Sequence, residues 1–123
     1  MLKGMRAILL ISHGSRSAKT KEEVTALVKD LKFKSQMPIA EVAFLEIESP
    51  SINEGIDLCV HQGAKEIVVL LNFLNSGRHV NNDIPAIINE SRQKHPQIHI
   101  LISSPVGQHP KIADLFLDLI NHA

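Results

Sequence analysis

Two histidines stand just after apolar runs of the kind that form buried strands. His13 follows Ala7–Ser12, and His79 lies in the segment 72–80 that follows Glu66–Leu71. Neutral imidazoles commonly bind divalent first-row metals, and two of them leave coordination positions open for a substrate. Two histidines alone hold an ion weakly, which suits a protein that must release it. Alternatively, each histidine only bonds nearby backbone, because no close-spaced ligand motif such as HExxH is present.

Charged and small residues in the same loops could contact a ligand. Arg16 and Arg78 lie beside the histidines, and a guanidinium fork matches a carboxylate, although either arginine could simply be solvated. Glu46 follows the second apolar run. It could be a third metal ligand, a proton acceptor or simply a surface charge. Glu48 is expected to be solvated. The remaining candidates for substrate contact are Ser15, Gly77 and Ser104.

Other chemistries have little support from these loops. Ser15 follows His13-Gly14, but a nucleophile elbow requires GxSxG, so a hydrolase is a distant alternative. A phosphohistidine enzyme would need an arginine before the histidine. Neither loop contains GxGxxG or a P-loop, so nucleotide binding is not indicated.

The elements that must position these residues form an alternating series. The apolar runs are rich in Ile, Val and Leu, as in strands covered on both faces: Ala7–Ser12, Ile39–Leu45, Glu66–Leu71 and Ile98–Ser103. Four helical patterns follow them, from about Thr20 to Phe33, from 49–51 to Gly63, from 83–85 to 94, and from Pro110. The order βαβαβαβα predicts an α/β three-layer sandwich with a four-stranded parallel sheet, in a single domain over residues 1–123.

Two helices carry further expectations. Thr20 and Glu23 have the spacing of a capping box at the start of the first helix. Cys59 lies in the apolar stripe of the second helix and is expected in the core, not as a reactive thiol. The last helix has an apolar stripe at helical spacing: Ile112, Leu115, Phe116, Leu119 and Ile120.

The connections predict where the two histidine loops meet. Right-handed crossovers favour the strand order 2-1-3-4, in which the chain reverses direction between strands one and three. Ligands of open parallel sheets bind beyond the carboxyl ends of the strands at such a switch point. His13 and His79 are therefore predicted to flank one crevice.

Composition bounds the class of protein. The 123 residues include 13 basic and 13 acidic side chains, so bulk charge favours neither nucleic acid nor a membrane surface as partner. Cys59 is the only cysteine, which excludes an intramolecular disulfide and suits a cytoplasmic protein. The first apolar run is too short for a membrane span and is read as a strand, not a signal peptide.

Taken together, several segments resemble the CbiX/SirB group of sirohydrochlorin chelatases over almost the whole chain. The segment Gly77-Arg78-His79-Val80 with Asp83-Ile84-Pro85 is the most specific. One departure is Leu71-Asn72, where the group commonly has a proline and a bulky residue. The other matching segments are Leu9–Arg16, Phe44–Glu46 with Pro50–Ile52, Gly63-Ala64, Phe73-Leu74 and Pro105–Pro110.

The resemblance implies a chelatase-like fold and a metal chelatase, a lyase that inserts a divalent metal into sirohydrochlorin for cobalamin or sirohaem synthesis. It assigns metal handling to His13 and His79. Co²⁺ is the expected metal, with Fe²⁺ or Ni²⁺ as alternatives, and no organic cofactor is required. The chain resembles the short form of the group, which forms a homodimer. The competing hypotheses are a metal or tetrapyrrole carrier without insertion activity, and a non-catalytic subunit.

Overall fold

A computed structural model describes residues 5–123, so the first four residues of the predicted domain lie outside it. Strands and helices alternate along the chain. The strands are β1 (Met5–Ser12), β2 (Ile39–Phe44), β3 (Ala64–Leu71) and β4 (His99–Pro105). The helices are α1 (Ala18–Ser35), α2 (Ile52–His61), α3 (Ile84–Lys94) and α4 (Ile112–Asn121).

The strands form one parallel sheet in the order β2-β1-β3-β4 across residues 5–123. This confirms the predicted order and the switch point between β1 and β3. The described helices α2 and α3 pack on one face of the sheet and α1 on the other, so the expected α/β layers are also confirmed.

The larger part of the core lies between the sheet and helices α2 and α3. Leu9, Ile11, Ile56, Ile67 and Ile88 are buried there. On the opposite face, Leu10 of β1 packs with Val24 and Val28 of α1 in a smaller cluster. Alternate residues of β1 thus serve both layers, because successive strand side chains point to opposite faces.

The helix starts show which capping signal the fold uses. The N-cap of α1 is Ser17, so Thr20 lies inside the helix and the predicted Thr20–Glu23 capping box is wrong. A true capping box begins α2, where the Ser51 hydroxyl accepts from the Glu54 amide and Glu54 accepts from the Ser51 amide. Both pairs have the required spacing, but only Ser51 directly precedes the first helical residue.

An ionic cluster joins α2 to the end of α3. The Asp57 carboxylate accepts hydrogen bonds from Lys94 Nζ at 2.9 Å and His95 Nε2 at 2.8 Å. Burial raises the pKa of Asp57, but the hydrogen bonds and positive charges of Lys94 and His95 outweigh burial and leave the pKa below its ordinary value of 3.8.

Cys59 lies in the core, as predicted. Its side chain is fully buried in α2. Burial, with the negative charge of Glu41, raises the pKa of the thiol to about 12. The thiol is therefore protonated and shielded in the folded protein.

Helix α4 stands apart from the sheet. Within the described part of the chain, none of its ten residues is buried, and its apolar stripe faces outward. Periodicity correctly indicated an apolar helix face, but it does not specify which surface covers that face. None of the helices in residues 5–123 is long and apolar enough to cross a membrane.

Candidate metal centre

The loops after β1 and β2 continue the pairing of their strands. Beyond the register pair Ser12 and Phe44, the Leu45 amide donates to Ser12 O at 2.9 Å and the Glu46 amide to His13 O at 3.0 Å. This extended ladder sets Glu46 directly beside His13. Their side chains approach to 3.3 Å between His13 Nε2 and Glu46 Oε1.

A glycine allows these two loops to lie so close. Gly14 has φ of +106°, a backbone conformation that residues other than glycine rarely adopt. A Cβ atom at Gly14 would lie 1.9 Å from Glu46 O, far inside contact distance. The glycine is thus required both by backbone conformation and by the close approach of the Glu46 carbonyl.

Glu48 fixes the next part of the first loop. Its Oε1 accepts from the Ser15 amide at 2.8 Å, and Ser15 Oγ in turn accepts from the Ser17 amide at 3.0 Å. Glu48 is partly buried, so the expectation of a solvated side chain is wrong. Because the bond runs from backbone to a residue 33 positions away, spacing gave no signal for it.

His79 reaches the same place from the other side of the switch point. It begins a π-helical turn, His79–Asp83, which leads directly into α3. The predicted start of this helix, residues 83–85, therefore misses a turn. The wider turn brings the His79 ring to 5.4 Å from the His13 ring, measured between centroids. Such turns occur frequently at functional sites.

Asp83 orients the His79 ring. Nδ1 of His79 lies 2.8 Å from Asp83 Oδ2. With Nδ1 engaged as the donor, Nε2 carries the free lone pair, which is the arrangement of metal-binding histidines backed by a carboxylate. Asp83 was not predicted as a site residue. The only available signal was the four-residue spacing between His79 and Asp83 on a helix.

His13, Glu46 and His79 together form a three-ligand cluster. One ligand atom from each residue lies within 4.8 Å of the others. Each side chain is about half exposed, at 48%, 49% and 47%. Two imidazole nitrogens and a carboxylate oxygen suit several divalent first-row metals. Their exposure leaves one side of a bound ion open to a substrate.

Asn72, part of the departure from the resembling group, helps to position His13. Its backbone N–H donates to Ile11 O at 2.8 Å, and its side-chain Nδ2 donates to Ser12 Oγ at 3.0 Å. Both bonds hold the end of β1 where the first histidine loop begins. A bulky apolar side chain in place of Asn72 could not make the bond to Ser12 Oγ.

The other predicted contact residues occupy different surfaces. Arg16 and Ser15 line an open recess of about 870 Å³ beside α1, together with Lys21 and Lys29. Gly77 and Arg78 are exposed immediately before the π-helical turn. Ser104 instead lines a groove between α1 and the ends of β3 and β4.

Comparison with known proteins identifies the family. The CbiX family model matches residues 7–123. The chain belongs to the CbiX family. The matched region includes all three residues of the cluster.

Relatives of this CbiX-family chain include chelatases of two lengths. It is 34% identical to the sirohydrochlorin ferrochelatase of Priestia megaterium over 95% of this chain and 44% of that protein. It is 28% identical to the sirohydrochlorin cobaltochelatase of Methanocaldococcus jannaschii over 93% of this chain and 96% of that protein. The chain spans about half the length of the ferrochelatases that it matches.

A solved structure shares the fold. The sirohydrochlorin chelatase SirB from Bacillus subtilis subspecies spizizenii, in complex with cobalt, superposes with a TM-score of 0.87. It is 31% identical, and the match covers 96% of this chain and 50% of that one. The predicted chelatase-like fold is therefore confirmed.

Proposed function

We propose that this protein inserts a divalent metal ion into a sirohydrochlorin-type tetrapyrrole. The observation that carries the proposal is the cluster of His13, Glu46 and His79 at the switch point of the sheet. The names of the chelatase relatives supply the substrate class. The metal is a substrate here, because an insertion enzyme must release it into the product.

The three ligands have separate tasks in this mechanism. His13 and His79 hold the ion through ring nitrogens, and Asp83 keeps the His79 ring aimed at it. Their weak, open coordination lets pyrrole nitrogens replace them one by one. Insertion releases two pyrrole N–H protons. Glu46 lies close enough to the ion site to accept one, and a histidine that has given up the ion can accept the other. The site acts chiefly as a template that brings ion and macrocycle together.

Cations beside the cluster would hold the carboxylates of the macrocycle. Arg16 lines the recess next to the first histidine loop, with Lys21 and Lys29 on α1. Arg78 is exposed next to His79 and offers a second paired donor. Ser15 and Gly77 would contribute hydrogen bonds or close backbone approach at the same rim. Ser104, across the β3–β4 ends, would contact only a distant part of a bound macrocycle.

Co²⁺ is the metal that we propose, for the cobalamin branch. Imidazole and carboxylate ligands accept Co²⁺, Fe²⁺ and Ni²⁺ alike. Two relatives that match along 96% of their length are named cobaltochelatases, and one similar SirB structure is a complex with cobalt, although another contains Fe³⁺. We also propose a homodimer, and a cytoplasmic location on the basis of the single unpaired cysteine, Cys59.

An anaerobic insertion assay tests the proposal. Purified protein is mixed with excess sirohydrochlorin and Co²⁺, Fe²⁺ or Ni²⁺ in turn, and absorbance is followed against a protein-free control. Multiple turnovers, fastest with Co²⁺, are expected. His99→Ala is a matched control, because His99 begins β4 at the opposite end of the sheet. A stoichiometric change that stops after one equivalent would instead indicate a carrier, and no change would contradict the proposal.

A further inference from the structure

A strained turn lies between the two acidic residues of the loop after β2. The Glu48 N–H donates to Glu46 O at 2.8 Å, which closes a three-residue γ-turn with Ile47 at its centre. Ile47 has φ of +72°, which matches the rare, strained form of this turn. A positive φ is a genuine outlier for a β-branched residue. A glycine at this position would adopt the same φ without that strain.

The turn gives its two flanking carboxylates separate partners. Glu46 Oε1 lies 3.3 Å from His13 Nε2 in the metal centre. Glu48 Oε1 accepts from the Ser15 amide at 2.8 Å. These contacts explain why the chain turns here, but neither of them uses the Ile47 side chain. The choice of isoleucine at the centre of the turn therefore needs a reason of its own.

Packing within one chain does not supply that reason. Ile47 is 60% exposed, and among the described residues it belongs to neither of the two core clusters. The position therefore keeps its backbone strain and gains little hydrophobic stabilisation in return. Strained residues of this kind cluster at ligand sites, where the strain is part of the mechanism. The combination of strain and exposure points to a ligand as the partner of this side chain.

The surface beside Ile47 indicates which ligand this is. Ile47 lines the open recess of about 870 Å³ next to α1. Three cationic side chains line the same recess: Arg16, Lys21 and Lys29. Lys21 is held in place, because its Nζ donates to Ser49 O at 2.7 Å. Among the lining residues in the described part of the chain, Ile47 is the one large apolar side chain. The recess thus combines positioned cations with a single apolar platform.

A tetrapyrrole with peripheral carboxylates has the matching chemistry, a flat apolar ring with acidic groups at its edge. Consecutive Cα atoms are about 3.8 Å apart, so Ile47 lies directly beside Glu46 of the metal centre. A ring whose nitrogens take up the ion therefore extends over Ile47, while its carboxylates reach the cations of the recess. We infer that Ile47 is a substrate-contact residue, against whose side chain one face of the tetrapyrrole ring lies. This inference rests on the proposed function.

Three substitutions at Ile47 separate the contact from the backbone strain. Ile47→Leu keeps a large apolar side chain, Ile47→Ala removes most of it, and Ile47→Gly removes it together with the strain. Each purified variant is titrated anaerobically with metal-free sirohydrochlorin, and the absorbance of the macrocycle is followed. Ile47→Ala and Ile47→Gly should bind about 10-fold more weakly than wild type, and Ile47→Leu within about 3-fold of it. Of the two weak binders, only Ile47→Gly should have a higher urea midpoint, by about 0.5 M.

Two controls distinguish a contact from a purely structural role. Phe33→Ala removes a side chain that is 75% exposed near the end of α1 and outside the recess, and it should bind the macrocycle like wild type. Co²⁺ affinity, measured without macrocycle, should stay at the wild-type value in Ile47→Ala, because the turn still holds Glu46 in place. In the insertion assay, the same variant should show a raised KM for sirohydrochlorin with little change in kcat, as expected for a contact made equally in ground and transition states.

The outcomes separate this inference from the proposed function. Equal macrocycle affinities for wild type and Ile47→Ala, with insertion activity intact, would overturn the inference alone. A loss of Co²⁺ affinity in Ile47→Ala as large as the loss of macrocycle affinity would also overturn it, because the side chain would then act only through the turn. A wild-type protein that binds the macrocycle more tightly than Ile47→Ala, but never turns over, would support the contact and refute metal insertion.

Discussion

Replacing Gly14 with alanine should damage both stability and the metal centre. The backbone at Gly14 has φ of +106°, and a side chain held in such a region costs about 1–3 kcal/mol. The new Cβ would also lie 1.9 Å from Glu46 O, so the carbonyl must move by roughly 1 Å to reach contact distance. That carbonyl accepts the Glu48 amide at 2.8 Å. Weakening this hydrogen bond destabilises the fold by a further ~0.5–1.5 kcal/mol.

The two contributions predict that Gly14→Ala lowers the free energy of unfolding by about 2–4 kcal/mol. With a typical urea dependence, the midpoint should fall by about 1–2 M. Glu46 follows its displaced backbone away from His13. A misplacement of about 1 Å can cost 100-fold in a positioned reaction, so Co²⁺ affinity and insertion should fall by at least about 10-fold.

Gly77→Ala is the matched control on the other loop. A Cβ at Gly77 meets nothing within 4 Å in the described part of the chain, and its backbone is outside the left-handed region. Its urea midpoint should stay the same or rise slightly, because alanine restricts the unfolded chain. Equal midpoints and equal Co²⁺ affinities for Gly14→Ala and wild type would refute the reasoning.

The remaining predictions concern the ligand support, the ionic cluster and the thiol. Asp83→Asn should lower metal insertion by about 10–100-fold, and His79→Ala by more, with melting temperatures near wild type; wild-type rates in either variant would contradict the proposed site. Because folding lowers the pKa of Asp57, its contribution to stability is present above pH 3.8 and is lost as pH falls through the lower, folded-state pKa. Asp57→Asn should therefore be less stable at neutral pH and should lose less stability on acidification to pH 3 in urea titrations; a wild-type pH profile would argue against this. Cys59, with its pKa raised to about 12, should react with a thiol reagent at pH 8 only at the rate of unfolding, and fast labelling of folded protein would contradict its burial.

The sequence specified the fold through patterns that depend on local spacing and on topology. Long apolar runs alternating with helical stripes predicted the parallel sheet, and the handedness of crossovers predicted its order. That order alone brought the loops of His13 and His79 together. Glu46 could be proposed because it follows β2, the strand beside β1.

Other features depend on geometry that spacing does not contain. The contact between Asp83 and His79 lies within the π-helical turn, whereas the sequence predicted that the helix begins only at residues 83–85. The hydrogen bond between Glu48 and Ser15 joins the loops after β1 and β2. The backbone bonds of Leu45 and Glu46 align these two loops, and residue spacing does not reveal that alignment. The outward direction of α4 depends on the turn before it, whereas its apolar stripe is a property of the helix alone.

The central claim is that His13 and His79 act on one metal ion during insertion. Initial rates of Co²⁺ insertion into sirohydrochlorin, compared for His13→Ala, His79→Ala and the double variant, test it most directly. Residues that act as a unit are strongly non-additive, so the double variant should lose little more activity than either single variant. Losses that multiply in the double variant, or a single variant that keeps the wild-type rate, would contradict a shared ion.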